Sequence, residues 1–582
     1  MKNKILVAFF LLISTLLVNF QGGHVAAAAE KVNYDVIVIG GEPEGIAAAL
    51  SAARSGAKTL LIEERDGLGG LFTYGMMNFL DFPKDRSGKM ATKGIFQEWH
   101  RKVGGGLSFV PEKAGAVFLE MVKQQPNLYL SLNTKVVKAI VEDSKIKSIV
   151  IDTKGYKKEL RSHTYIDATQ DADFAVLSGV PYFLGAADVG FEDKQMAVTL
   201  MIHLQGLDWN KIKQTAKSGK FGSAQVTNEG AWGFAKLRDI YKPVDPNMRL
   251  RGFNLAKNEG GYYINALQIF GVDGLDPQSK LEGIERGKKE TVHILEWLKV
   301  NFPGFENAKI ASFPKELYVR ETRHIKSLYQ LPVSDLWENK YHWDTIAYGA
   351  YPADIQAVSI DDPGAIVVNP DKYGIPFRSL VPQNMKNLLV VGRSGGYSSL
   401  AAGSVRIVAT GMGTGEAAGV AAKLAVQKGL TFDEMAANKA VIKELQSILH
   451  KKGALVSPFT ANYPYQDAVY YPAIRELLNA RALYGNYNNN VGEKEIATNF
   501  TFTNILKQVF LVMSLTDPKY KENIEYITKY NLENASIPLT RDEVNRILSE
   551  LPHPMAEIKV SGTNKMTRGE MYTLLMTIFN WS

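Results

Sequence analysis

Residues 34–41 read "YDVIVIGG", an apolar, β-branched run with no polar alternation that ends on two glycines. A run of that kind predicts a strand buried on both faces, as in a parallel sheet. "EGIAAALSAARSGA" (44–57) is rich in alanine and stops at Gly56, which predicts a helix. "KTLLIEE" (58–64) predicts a second buried strand. Together they make a βαβ unit of about 30 residues. "PEKAGAVFLEMVKQ" (111–124) predicts a helix, and "LYLSLNTKVVKAIVED" (128–143) and "IKSIVIDTKG" (146–155) an antiparallel strand pair. "SHTYIDATQDAD" (162–173) predicts another strand and turn.

From about 180 to 360 strand-like pieces such as "AVTLMIHLQG" (197–206) mix with helical ones such as "GIERGKKETVHILEWLKVNF" (283–302). The doubly wound pattern returns with the strand "NLLVVG" (387–392) and one long small-residue helix over 401–429. The fold class is therefore α/β: a Rossmann-like domain from 30–180 and 360–435, with an inserted α+β substrate domain over 181–359. A mainly helical C-terminal domain is expected over 460–582. There "PAIRELLNARALYG" (472–485), "IPLTRDEVNRILSEL" (537–551) and "NKMTRGEMYTLLMTIF" (564–579) resemble pieces of S-layer homology repeats. Those repeats begin a helix with T-R-x-E and bind cell-wall polymers. The same four residues also spell a capping box, in which threonine caps a helix and the glutamate three residues on reaches back.

The N-terminus changes the picture of location. Lys2 and Lys4 precede the apolar stretch 5–20, and "VAAAAE" (25–30) offers small-residue cleavage sites. Residues 1–29 are expected to be a signal peptide, leaving a secreted or cell-wall-associated protein with no transmembrane helix. Without cysteine, disulfides, thiolate catalysis and cysteine-ligated metals are excluded. The histidines show no ligand spacing, so no metal site is expected. The net charge of +7 forms no basic stripe with interleaved aromatics, so no nucleic-acid partner is expected.

The chemistry centres on Gly40, Gly41, Glu42, Pro43, Glu44 and Gly45, the register that best fits the dinucleotide fingerprint G-x-G-x-x-G. Gly40 permits the sharp turn, Gly45 permits close helix–strand packing, and Pro43 suits the first helical position. Glu42 takes the place of the central glycine. With Glu44 it puts two acids at a helix N-terminus that would otherwise attract a phosphate. A carboxylate a few ångströms from a phosphate costs roughly 1 kcal/mol in water-like screening and more when dry. Glu63 ends the second strand, where an acid accepts ribose hydroxyls. "GLGGLFTYG" (67–75) then supplies a glycine loop containing Gly69 and Gly70.

Beyond this point the chain resembles bacterial FAD-dependent oxidoreductases of the two-dinucleotide-binding-domain type, over about residues 33–430. The resemblance rests on Glu64 with Leu68-Gly69-Gly70, "DATQDAD" (167–173), "RETRHI" (320–325), "YPADIQ" (351–356), "IPFRSLVP" (375–382) and the segment 387–422, in the family's order. It implies FAD, with Gly40, Gly41 and Gly45 at the pyrophosphate, Glu63 or Glu64 at the ribose, and Val136 near the adenine. It also implies Thr169, Gly392 and the 401–404 helix start, with Gly403 and Ser404, near the pyrophosphate, ribityl chain or isoalloxazine. Four positions depart from the family: Glu42, Gln170, Gln356 and Ser399. The expected catalytic residues are His324 as base, with Arg320, Arg323 and Arg378 holding a small-molecule substrate. Arg393, Tyr351 and Asp354 are further candidates. The reading is an exported enzyme passing a hydride between a small organic substrate and flavin N5. The rival is a cell-wall-associated binding protein that keeps the fold without redox activity.

Overall fold

Along Tyr34–Ile39 the side chains alternate between two apolar cores, which is why the sequence shows no polar alternation. Val36 and Val38 face a core shared with the alanines of the helix Pro43–Arg54. Ile37 and Ile39 face a second core containing Ile146, Ile149 and Ile151. In this computed structural model the strand is the centre of a five-stranded parallel sheet. The sheet runs Leu388–Val390, Ser162–Asp167, Tyr34–Ile39, Thr59–Ile62, Leu128–Ser131. The structure describes residues 33–192, 194–555 and 561–581, and of 531–534 the backbone alone. The expected signal peptide lies outside the described residues.

Helices Pro43–Arg54 and Val408–Lys428 lie against each other with their backbones nearly touching. A methyl group at Gly415 or Gly419 would overlap the carbonyls of Glu44 and Ala48. The small-residue pattern of 408–428 is thus a packing requirement. Two elements differ from expectation. The single helix over 401–429 is two helices, Ser399–Val405 and Val408–Lys428, separated at Arg406 and an extended Ile407. The strand over 128–143 is also two: Leu128–Ser131 joins the parallel sheet, and Thr134–Glu142 pairs antiparallel with Lys145–Thr153.

The inserted region is a six-stranded antiparallel sheet. Its order is Ala224–Val226, Gly230–Gly233, Met248–Asn258, Gly261–Ile269, Ile202–Gln205, Lys309–Ser312. It has its own core, to which the helix Pro277–Asn301 contributes Ile284, Ile294, Leu295 and Leu298. The C-terminal helices Asn499–Met513, Arg541–Ser549 and Arg568–Phe579 each begin after a capping threonine: Thr498, Thr540 and Thr567. At Thr567 both halves of the box with Glu570 are present. Glu543 instead bonds Asn499 and Arg546. Just before the three caps the backbone closes a ring of hydrogen bonds, Ala497 to Met566, Met566 to Leu539 and Leu539 to Ala497. These helices share one continuous core with the parallel-sheet region. Among the described residues no helix is long and apolar enough to cross a membrane.

Candidate functional site

The chain leaves Tyr34–Ile39 in one direction to Thr59–Ile62, while Ser162–Asp167 lies on the other side. A crevice opens at such a reversal, outside the carboxyl ends of the strands, and ligands bind there in open α/β sheets. Residues 40–45 and 168–171 follow the carboxyl ends of these two neighbouring strands. Gly40 has a φ of 104°, and a Cβ there would meet the Ala168 carbonyl at 2.5 Å. A Cβ on Gly45 would overlap the Gly40 carbonyl. Both glycines are what the tight strand–turn–helix geometry demands. Of the two ribose candidates, Glu63 faces the crevice: it is buried, and its Oε2 accepts the Gly41 N–H at 2.5 Å. Glu64 is exposed and lies 3.7 Å from Lys135.

Glu42 is the N-cap residue of the first helix, but its carboxylate makes no cap bond and does not point to solvent. It is 2% exposed and reaches across the crevice. One oxygen lies 2.8 Å from Arg65 Nη2; the other accepts from Leu71 N at 3.1 Å and Gln170 Nε2 at 3.0 Å. A guanidinium, a backbone N–H and a side-chain amide are the partners a phosphate would take. Two of the four departures from the family pattern, Glu42 and Gln170, therefore bond to each other. A methyl group on Gly70 would overlap the Glu42 carboxylate, so Gly70 makes room for it. Arg65 also meets Glu63 and Glu316, at 3.3 and 2.6 Å. Burial lowers its pKa, but Glu42, Glu316 and Glu63 outweigh that and raise it. Burial raises Glu63 in turn, with Arg65 opposing. Glu44 is buried too, beside Gly392 and Gly411. Burial, then the Glu42 charge, pushes it up to about 8, and its Oε2 has no hydrogen-bond partner.

The remaining expected cofactor residues take these places. Gly69 has a φ of 100° and donates its N–H to Gly41 O at 2.8 Å. Val136 pairs with Ile151 in the antiparallel ladder. Thr169 closes its turn by donating Oγ1 to Asp167 Oδ1 at 2.6 Å. Gly392 has a φ of 80°. Gly403 lets the Ser399–Val405 helix approach Asp354, and the buried Ser404 hydroxyl meets Tyr373 at 2.7 Å. That helix starts under two acceptors: Asp188 takes the Ser399 N–H at 2.9 Å and Ser398 the Ala401 N–H at 3.1 Å.

The expected catalytic residues are spread over several contacts. His324 is buried, stacked on Phe183 at 5.0 Å, with Nε2 3.2 Å from Glu321 and Nδ1 without a partner. Arg378 forks onto Asp344 at 2.8 and 3.1 Å. Arg323 bonds the Asp171 carbonyl and Asp173, and Arg393 bonds Asp171 and the Val319 carbonyl. Arg320 donates to the Ala197 carbonyl at 2.8 Å, its guanidinium 4.2 Å from the Tyr318 ring centre.

Arg320 belongs to a cluster that the sequence did not reveal as one. Arg406, at the helix break, donates to Tyr318 OH at 2.7 Å and lies 3.8 Å from Asp354. Burial, with the positive charges of Arg251 and Arg406, pulls Arg320 down to about 9 against the Tyr318 phenol. Burial pushes Asp81 up to about 6, while Arg406, the Tyr351 hydroxyl and Arg251 draw it down and Asp354 adds to the rise. Burial, then Asp81 and Asp354, raises Tyr351 well above the usual phenol. Asp81 ("NFLDFP") and Arg251 ("RLRGFN") stand in unremarkable segments, whereas Arg320, Tyr351, Asp354 and Arg406 lay in motif segments.

The residues fit FAD. The glycine turn, the inward-facing Glu63 and the glycine loop would form its cradle, with the Glu42 carboxylate at the corner where its phosphates would lie. Comparison with known proteins agrees. A family model described as FAD dependent oxidoreductase matches residues 35–449. An alkyl hydroperoxide reductase component of Pseudomonas putida is 42% identical over 71 residues, which is 12% of this chain and 14% of that protein. The digeranylgeranylglycerophospholipid reductase of Picrophilus torridus is 62% identical over 39 residues, 7% of this chain and 10% of that one. The chain thus spans about a seventh or less of these relatives' length. Among solved structures, a geranylgeranyl bacteriochlorophyll reductase-like protein of Thermoplasma acidophilum aligns with 89% of this chain and 96% of its own. Its TM-score is 0.35 at 12% identity, too low to carry any argument beyond the family match. With most of its length under that family model and a cradle of matching chemistry, the chain belongs to the FAD-dependent oxidoreductase family, and its cofactor is FAD.

Proposed function

We propose that the protein is exported and passes a hydride between a small organic substrate and flavin N5. The observation that carries this reading is the cluster of Asp81, Tyr351 and Asp354 with Arg251, Arg320 and Arg406, where the Ser399–Val405 helix meets the inserted sheet. Removing a hydride from a C–H bond needs a hydride acceptor and, for a hydroxyl or amine substrate, a base. FAD supplies the first. Asp81, brought to about 6, supplies the second near neutral pH, where a general base works best. Tyr351 stays protonated, and its hydroxyl donates to Asp81 and holds that carboxylate in place. His324 is enclosed by Glu321 and Phe183, so we assign the proton to Asp81.

Export rests on the leader pattern of residues 1–29. A protein exported unfolded takes up its cofactor after crossing the membrane. The Glu42 contacts support that order of events, because they satisfy Arg65 and the Leu71 N–H from within the chain. The redox test is anaerobic mixing of the holoprotein with small alcohols, hydroxy acids and amines. One class is expected to bleach the flavin's visible band, at a rate about tenfold or more lower in an Asp81→Asn variant that retains FAD. A flavin bleached by dithionite but by none of the panel would count against the reading. Export is tested by sequencing the N-terminus of protein recovered from the medium, expected to begin near residue 30.

A further inference from the structure

A cavity of about 320 Å³ opens between the inserted sheet, residues 354–366 and residues 486–487. Its lining carries three guanidiniums: Arg238, Arg249 and Arg251. Arg249 and Arg251 both come from Met248–Asn258, Arg251 where the strand's pairing becomes irregular after Leu250. Arg249 is 6% exposed. Its Nε donates to Gln268 at 2.8 Å, and Nη1 donates to the carbonyls of Ile360 and Asp362 at 3.1 and 3.0 Å. Arg251 donates to the Gln356 side-chain oxygen at 2.8 Å. All these acceptors are neutral.

The carboxylate in the lining, Asp354, is already engaged by the Gln356 amide at 2.6 Å and by Arg406 at 3.8 Å. Burial, then the positive charge of Arg238 and that of Arg251, holds Arg249 below the usual arginine value, with the Asp362 charge opposing. A buried cation such as Arg249 whose hydrogen-bond partners are neutral is costly, and an incoming anion relieves that cost. Tyr487, 64% exposed, completes the lining from the C-terminal region. Asp354 ties the cavity to Asp81, since both act on the Tyr487 phenol alongside Arg251.

We propose that this cavity binds the oxyanion group of the protein's substrate, making that substrate a small organic acid or phosphate. The inference rests on the flavin oxidoreductase reading. An arginine fork pairs equally with a planar carboxylate or a phosphate, and the cavity has the size of a small-metabolite pocket. Gln356, one of the four departures from the family pattern, then has a role: it holds Arg251 in place without neutralising it.

The test is calorimetric titration of the full chain, with FAD added, using malonate, inorganic phosphate and the neutral malonamide at constant ionic strength. Malonate or phosphate should bind and malonamide should not; the tighter of the two identifies the oxyanion. Arg251→Gln should weaken binding about tenfold or more, and the exposed Arg238→Gln about threefold. FAD content, read from the visible band of the same samples, should be unchanged in both variants. Anion binding no stronger than that of malonamide, or retained in full by both variants, would overturn the proposal. If anions bind but no flavin does, the redox reading fails and the site stands; if flavin binds and anions do not, the reverse holds.

Discussion

Two regions of the molecule gather arginine, and they treat it in opposite ways. At the phosphate corner Arg65 is surrounded by Glu42, Glu63 and Glu316, so the chain supplies its own anions. In the cavity beside the inserted sheet, Arg249 and Arg251 are held by glutamine side chains and carbonyls. The first site is complete without a ligand, and a phosphate bound there would have to displace a carboxylate. The second is left positive and gains from a ligand that brings charge. Buried charge is tolerable when paired and a strain when not, so charge balance separates a corner that resists its anion from one that seeks it.

The largest effect should come from Arg65→Ala. It leaves two buried carboxylates without their cation and should cost about 3–5 kcal/mol in denaturant unfolding. Next comes the pH dependence from Glu44. Its folded value of about 8 lies above its ordinary value, so the folded state binds more protons between the two. The stabilisation is fully present below about pH 4.5 and is lost as pH rises through about 8, on the order of a few kcal/mol. Melting curves from pH 5 to 8 should show the fall, and Glu44→Gln should flatten it. Glu42→Gly should tighten FAD about tenfold or more, roughly 1.4 kcal/mol, as measured by flavin fluorescence titration. The smallest effect has the opposite sign to the first. Arg251→Gln should leave stability unchanged or raise it by up to about 1 kcal/mol, by relieving repulsion at Arg249 and Arg320. A loss as large as that of Arg65→Ala would break the contrast between the two regions.

The strand–turn–helix start and its glycines were legible in the sequence because their signals are local: periodicity, turn chemistry and caps. The destination of Glu42 was not. Its partners are Leu71 and Gln170, 29 and 128 residues away, and Arg65. The identity of Glu42 and Gln170 as departures was visible, but not that they meet. The helix break at Arg406 carried a local signal, since "GSVRIVATG" is mostly glycine and β-branched residues, but the turn of the Arg406 side chain to Tyr318 and Asp354 did not. Asp81, Arg249 and Arg251 carry no local mark, since only the approach of the inserted sheet to residues 351–356 gives them a common environment.

The most direct test of the account is a paired FAD titration of the wild-type chain, without residues 1–29, and its Glu42→Gly variant, followed by the flavin's visible spectrum. The account predicts that both bind FAD and that the variant binds about tenfold tighter or more. Equal or weaker binding by the variant would show that Glu42 does not stand where the phosphate goes, and no flavin in either would contradict the cradle itself.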